Sequence, residues 1–243
     1  LMDQFRTIAD EYNLWLLEDS CHAPGAYFYD HNEELQQSGN GKYADLAIFS
    51  FHPVKHIACG EGGMITTNDE KLYRRLIQLR THGITKDPSL LNENHGGWFY
   101  EMQELGYNYR LSDINCSLGI SQLKRANKNL IKRKSIALNY YEAFKKKEWI
   151  KTISPVEGHA YHLFIILVQK RKELYEYLKK EKIFSQVHYI PIHLQPYYRK
   201  LGWKKGRLPL VESYYENCLS IPIYPLLDID RQNYVISKII NFK

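Results

Sequence analysis

Two apolar runs, each closing on polar groups, constrain this chain more than any other feature. Leu14-Trp15-Leu16-Leu17-Glu18-Asp19 ends on two acids, and Asp45-Leu46-Ala47-Ile48-Phe49-Ser50 ends on a hydroxyl. Short continuous apolar runs bounded by turn residues read as buried strands. Separated by turn residues and followed by helical patterns, they imply an α/β fold built on a mixed, mostly parallel sheet. Ligands in such sheets bind beyond the carboxyl ends of the strands, so Asp19 and Ser50 are expected to face one crevice.

The flanking segments fit this plan. Phe5, Ile8, Ala9 and Tyr12 recur at helical spacing ahead of the first run. Residues 64–67 read as a short strand, and Asp69 as the N-cap of a helix with Leu72, Leu76 and Leu79 on one face, closed by Gly83. Residues 84–106 read as loop, and Ser112 as the cap of a long helix reaching 146, whose lysines and arginines form a solvated face. Beyond 150 the pattern changes to strand 161–168, helix 171–182, strand 185–189, a Pro-broken stretch and two closing helices near 210–217 and 228–240. The expected division is a large domain over 1–125, then a connecting helix and small α+β domain over 126–243.

Composition sets the outer bounds. With 243 residues, 44% hydrophobic and 25% charged, the chain can bury a sizeable core in one large or two modest domains. No apolar run approaches the roughly 18 residues of a membrane span. Cys21, Cys59, Cys116 and Cys218 are scattered and form no CxxC pair, which points to reduced cytoplasmic thiols rather than a zinc ribbon or disulfide scaffold. The formal charge of +6 is compatible with a phosphorylated substrate without requiring one. The chain opens on Leu1 directly into a helical pattern and is read as a fragment.

Lys55 stands just after the second run, in Ser50-Phe51-His52-Pro53-Val54-Lys55, and a glycine turn, Gly60-Glu61-Gly62-Gly63, follows. An amine that attacks a carbonyl must be partly desolvated and held in place, as a strand exit beside a Gly-rich turn can do. Asp19, Ser50 and Lys55 together match the needs of pyridoxal phosphate: a lysine for its aldehyde, an acid that keeps the pyridine nitrogen protonated, and a donor for its phosphate. Taken singly, each also reads as a structural residue: a surface lysine after a Pro bend, a surface or capping acid, a strand-end serine. A metal site on His52, His56 and Cys59 would need a helix there, and Pro53 opposes one.

Five ordered motifs carry a resemblance. Glu18-Asp19-Ser20-Cys21-His22-Ala23, the Phe49 to Lys55 run, Gly60-Glu61-Gly62-Gly63 with Thr67-Asn68-Asp69, Arg80-Thr81-His82-Gly83, and Gly106-Tyr107-Asn108-Tyr109-Arg110-Leu111-Ser112 resemble the DegT/DnrJ/EryC1/StrS sugar aminotransferases over nearly the whole chain. The resemblance implies the pyridoxal-phosphate-dependent transferase type I fold, with Lys55 as the lysine that bonds the cofactor and Asp19 as the acid at its pyridine nitrogen. It also implies His22 near the cofactor's phenolic oxygen and Ser50 on the phosphate. Asn108 would be lent to that phosphate by a second subunit of a homodimer. Gln186-Val187-His188-Tyr189 resembles most the branch that makes UDP-4-amino-4,6-dideoxy-N-acetyl-β-L-altrosamine, a pseudaminic acid precursor, where this run lines the nucleotide-sugar pocket. Glutamate is the implied amino donor, and Arg110 could grip a diphosphate or the donor's carboxylate, or form a structural salt bridge. Family members begin with a further segment, so residues 1–243 alone are expected to bind the cofactor poorly and to turn nothing over. No nucleic-acid partner, membrane or metal is implied.

Overall fold

A computed structural model describes residues 2–242. The chain divides into two compact units, Leu1–Ala126 and Asn127–Lys243. In the first, helix α1 (Met2–Glu11) leads to strand β1 (Leu17–Asp19), the hairpin β2 (Tyr27–Tyr29) and β3 (Leu35–Gln37), and strands β4 (Leu46–Ser50) and β5 (Gly63–Thr66). Helix α2 (Glu70–Arg80), the short pair β6 (Ile84–Thr85) and β7 (Glu101–Met102), and helix α3 (Asp113–Leu123) follow. The sheet β1-β4-β5 is mixed: Leu17 to Asp19 run parallel to Leu46 to Ile48, and β4 lies antiparallel to β5, ending on the pair Ser50 and Gly63.

The first apolar run forms a shorter and more exposed strand than its composition predicts. Only Leu17 to Asp19 join the ladder, and Trp15 and Leu17 are 67% and 57% exposed. The backbone before them is engaged elsewhere. Leu14 N–H donates to Ala9 O at 2.7 Å, and Leu16 N–H to the Asp45 carboxylate at 2.7 Å, which Arg6 also reaches at 3.1 Å. The cap of α2 is as read: Asp69 Oδ1 accepts from the N–H groups of Lys71 and Leu72 at 2.7 and 3.0 Å. At its other end Gly83, with φ of +68°, returns its N–H to Gln78 O at 2.9 Å, the left-handed closure glycine permits.

The long helix expected after Ser112 is two helices. Ser112 Oγ accepts from Asn115 N–H, but α3 stops at Leu123, where Arg125 N–H bonds Gln122 O three residues back and tightens the turn. Helix α4 (Ala126–Phe144) then opens the second unit, followed by β8 (Lys151–Thr152), β9 (Phe164–Leu167) and α5 (Arg171–Lys180). A 3₁₀ turn (Ile192–Leu194), α6 (Pro196–Lys200), α7 (Pro209–Asn217), β10 (Cys218–Ile221) and α8 (Ile229–Ile240) complete it. The antiparallel sheet β10-β9-β8 packs into a core in which Tyr140, Phe144, Ile166, Leu174, Leu178, Leu219 and Ile239 are fully buried. This apolar burial is the unit's main source of stability.

One residue of α4's basic series departs from the solvated face. Arg133 is 6% exposed, and its Nη1 donates to the carbonyls of Tyr161, His162 and Ile223 at 3.0 to 3.3 Å. Burial lowers its pKa to about 10. The strand expected over 185–189 is also reduced, to a single bridge between Gln186 and Ser220. Among the described residues no helix is long and apolar enough to cross a membrane.

Candidate functional site

The parallel pairing of β1 and β4 brings Asp19 and Ser50 to the same sheet end, as the strand pattern requires. Successive side chains of a strand point to opposite faces, so the acids of β1 are divided. Glu18 turns to one face and binds structure: its carboxylate accepts from Ser20 Oγ at 3.0 Å, Ser38 Oγ at 2.5 Å and Gly39 N–H at 3.0 Å. Asp19 turns to the other and is exposed. Cys21 N–H donates to Asp19 Oδ1 at 3.0 Å. Hydrogen bonds from Cys21 hold the Asp19 carboxyl below the usual range, and the charges of His22 and Lys55 act in the same direction against a modest desolvation cost. The Cys21 thiol, in turn, is pushed up to about 11 by burial and by Asp19.

Lys55 is half-buried on a tight turn after β4, with its N–H bonded to His52 O at 2.9 Å. The turn is fastened on both sides. Phe51 N–H donates to Gly62 O and Cys59 N–H to Phe51 O, at 2.9 and 3.0 Å, while the Asn115 side-chain amide of α3 donates to Cys59 O. No helix forms over 51–59, and no group of three metal-binding side chains is found among the described residues. The Lys55 amine takes part in no hydrogen bond among the described residues, and its charge reaches Asp19 and Cys21. An ionised carboxylate, an available amine and the Ser50 hydroxyl, whose Oγ accepts from His52 N–H at 3.4 Å, therefore gather beyond two parallel strand ends. That donor set fits a cationic aromatic aldehyde carrying a phosphate.

Asn108 and Arg110 belong to the same unit but not to this cluster. Asn108 bridges Thr81, flanked by Tyr107 and Tyr109 stacked at 4.8 Å. Arg110 is exposed and forms no ion pair among the described residues, so its salt-bridge alternative finds no partner there. The run in the second unit is placed by backbone and core. Gln186 exchanges two backbone bonds with Ser220 at 3.0 and 2.7 Å, Val187 packs on the core, His188 Nδ1 lies 2.8 Å from Ser220 Oγ, and Tyr189 is 61% exposed. A cavity of about 780 Å³ in this unit, lined by Trp149, Lys151, Tyr214 and Phe242 among others, contains none of these four residues. Sequence reasoning missed Cys21 as the main partner of Asp19 and Glu18 as the clamp behind it. The doubled acid at a strand end was the available signal.

The family model for the DegT/DnrJ/EryC1/StrS aminotransferases matches residues 1–240. The chain belongs to this family. A UDP-4-amino-4,6-dideoxy-N-acetyl-β-L-altrosamine transaminase of Campylobacter jejuni is 37% identical over 241 residues, 96% of this chain and 60% of that protein. The structure of Helicobacter pylori PseC, an aminotransferase of pseudaminic acid biosynthesis, superposes with a TM-score of 0.86 at 28% identity, covering 98% of this chain and 62% of that one. A Streptococcus pneumoniae sugar aminotransferase, Spr1654, is similar in both its PMP form (TM-score 0.83, 30% identity, 95% of this chain and 59% of that one) and its PLP form (TM-score 0.81, 28% identity, 97% and 61%). The fold is thus that of this family's aminotransferases, and the chain spans about 60% of the length of the relatives it matches.

Proposed function

We propose that the protein produced from its own gene is a pyridoxal-phosphate-dependent aminotransferase. On this reading it moves an amino group from glutamate to a UDP-linked 4-keto-6-deoxy-hexose, giving UDP-4-amino-4,6-dideoxy-N-acetyl-β-L-altrosamine, and works in the cytoplasm as a homodimer. The observation that carries the reading is the convergence of Lys55 and an ionised Asp19 beyond the ends of β1 and β4. Membership of the family and the PLP and PMP forms of Spr1654 support it.

Pyridoxal phosphate, when bound, supplies an electron sink for the carbon that loses or gains a proton. Asp19 would hold a fixed negative charge against the pyridine nitrogen, and Cys21 keeps that charge in place by hydrogen bonding the same carboxylate. Lys55 would bond the cofactor's aldehyde, and its Nζ, once released, would move a proton from the donor's Cα to the cofactor's C4′ carbon, and in the acceptor half from C4′ to the sugar carbon that receives the amino group. Ser50 and His22 would orient the phosphate and phenolic oxygen, and Asn108 would serve the phosphate of a partner. Gln186, Val187, His188, Tyr189 and Arg110 would meet the nucleotide sugar.

Incubation with pyridoxal phosphate, borohydride trapping and peptide mapping should place the label on Lys55. Label elsewhere, or none, would refute the assignment. Assay against a panel of keto-sugar nucleotides with glutamate should favour the UDP-linked 4-keto-6-deoxy-hexose. Preference for another nucleotide-linked keto sugar would keep the transaminase and discard the substrate.

A further inference from the structure

Two histidines bracket the exposed turn that follows the Gln186 run, and each is tied to the polypeptide around β10. His188 bonds Ser220, in β10 itself. His193, 5% exposed, sets Nε2 2.8 Å from Oε1 of Glu212, which is 6% exposed on α7. Glu212 also accepts from Gly206 N–H at 2.7 and 2.9 Å, and Trp203 stands edge-on to the His193 ring with centroids 6.3 Å apart. One buried carboxylate therefore joins the 3₁₀ turn, the 204–206 loop and the start of α7. Between the two anchors Tyr189, Ile190 and Ile192 are 61%, 49% and 64% exposed.

A buried ionisable pair adds little stability over well-packed apolar side chains, but it can select one backbone arrangement. The backbone here is held at both ends while its large side chains face outward, the arrangement of a recognition loop on a rigid support. We propose that His193 and Glu212 are positioning residues that fix the 189–192 turn and so set the affinity for the nucleotide sugar, touching no substrate themselves. This rests on the proposed role of the Gln186 to Tyr189 run.

The test separates the two half-reactions of the cofactor-loaded protein. Glutamate converts the pyridoxal form to the pyridoxamine form, followed by absorbance, and a UDP-linked 4-keto-6-deoxy-hexose converts it back. In Glu212→Gln, KM for the nucleotide sugar should rise about tenfold or more, with kcat within about threefold and the glutamate half-reaction within about twofold. His193→Gln, which keeps an N–H donor toward Glu212, should recover part of the affinity that His193→Ala loses. Tyr189→Ala serves as the reference. If it leaves the sugar KM unchanged, the recognition role of the run fails and the positioning role falls with it. If Tyr189→Ala raises KM but Glu212→Gln does not, the positioning role alone is overturned. Equal decline of both half-reactions, or loss of folded protein in both Glu212→Gln and His193→Gln, would make the pair a folding element and overturn it too.

Discussion

Gly106→Ala tests whether the crossing of two backbones holds the Tyr107 to Arg110 segment in place. A Cβ at Gly106 would lie 2.0 Å from Gly83 N, 2.5 Å from His82 C and 2.9 Å from Gly83 Cα, all backbone atoms that cannot rotate away. To reach an ordinary contact of 3.4 Å the strands must part by about 1.4 Å. Four backbone bonds span this crossing: Tyr107 N–H to Leu79 O at 2.6 Å, His82 N–H to Tyr107 O at 2.8 Å, Gln103 N–H to Gly83 O at 2.8 Å, and Tyr109 N–H to Arg80 O at 3.0 Å. An opening of that size stretches most of them beyond bonding distance. At about 1 kcal/mol net for each, the substitution should cost about 2–4 kcal/mol. Denaturant unfolding of the cofactor-free protein reads this directly. Gly97→Ala, where an added Cβ meets nothing within 4 Å, is the control and should fall within about 0.5 kcal/mol of the parent. Cofactor affinity should drop in Gly106→Ala as well, because Asn108 moves with the segment. A Gly106→Ala midpoint indistinguishable from that of Gly97→Ala would refute the reasoning.

Three further outcomes follow from named contacts. Asp19→Asn removes the fixed charge while keeping an acceptor for Cys21, so amino transfer should fall roughly 10²-fold or more with folding intact, as steady-state kinetics and circular dichroism would show. Arg133→Leu strands three carbonyls in the second unit and should cost about 3 kcal/mol in denaturant unfolding; near-neutrality would mean those carbonyls find other partners. Asp30 accepts from Tyr43, Gln36, Asn32 and Glu34, and the Tyr43 bond first among these holds its carboxyl at about 2. Its folded value lies below the unfolded one, so its contribution to stability is complete above about pH 4 and fades as pH falls through about 2. Asp30→Asn should flatten the thermal midpoint's dependence on pH in that window.

Much of this molecule was legible in one dimension because local rules act over a few residues. The caps by Asp69 and Ser112, the glycine closure at Gly83 and the order of strand ends at Asp19 and Ser50 follow from side-chain chemistry within a turn or from strand period. The ordered motifs around Lys55 were specific enough to announce the family. Tertiary structure decided what depends on distant partners. Ala9 O and the Asp45 carboxylate took the N–H groups of Leu14 and Leu16 and left β1 short, and a tightened turn at Arg125 split a helix with neither Gly nor Pro at the break. Arg133 reads as one more surface cation until the carbonyls of Tyr161, His162 and Ile223 close around it. Glu18 and Asp19 are neighbours of the same type in sequence, and the pleat, the Ser38–Gly39 turn, the hydrogen bonds from Cys21 and, less strongly, the charge of Lys55 make one a clamp and the other an exposed, ionised acid. Hydrogen-bond satisfaction and charge proximity are properties of three-dimensional neighbours, and a sequence states only which groups are available to meet.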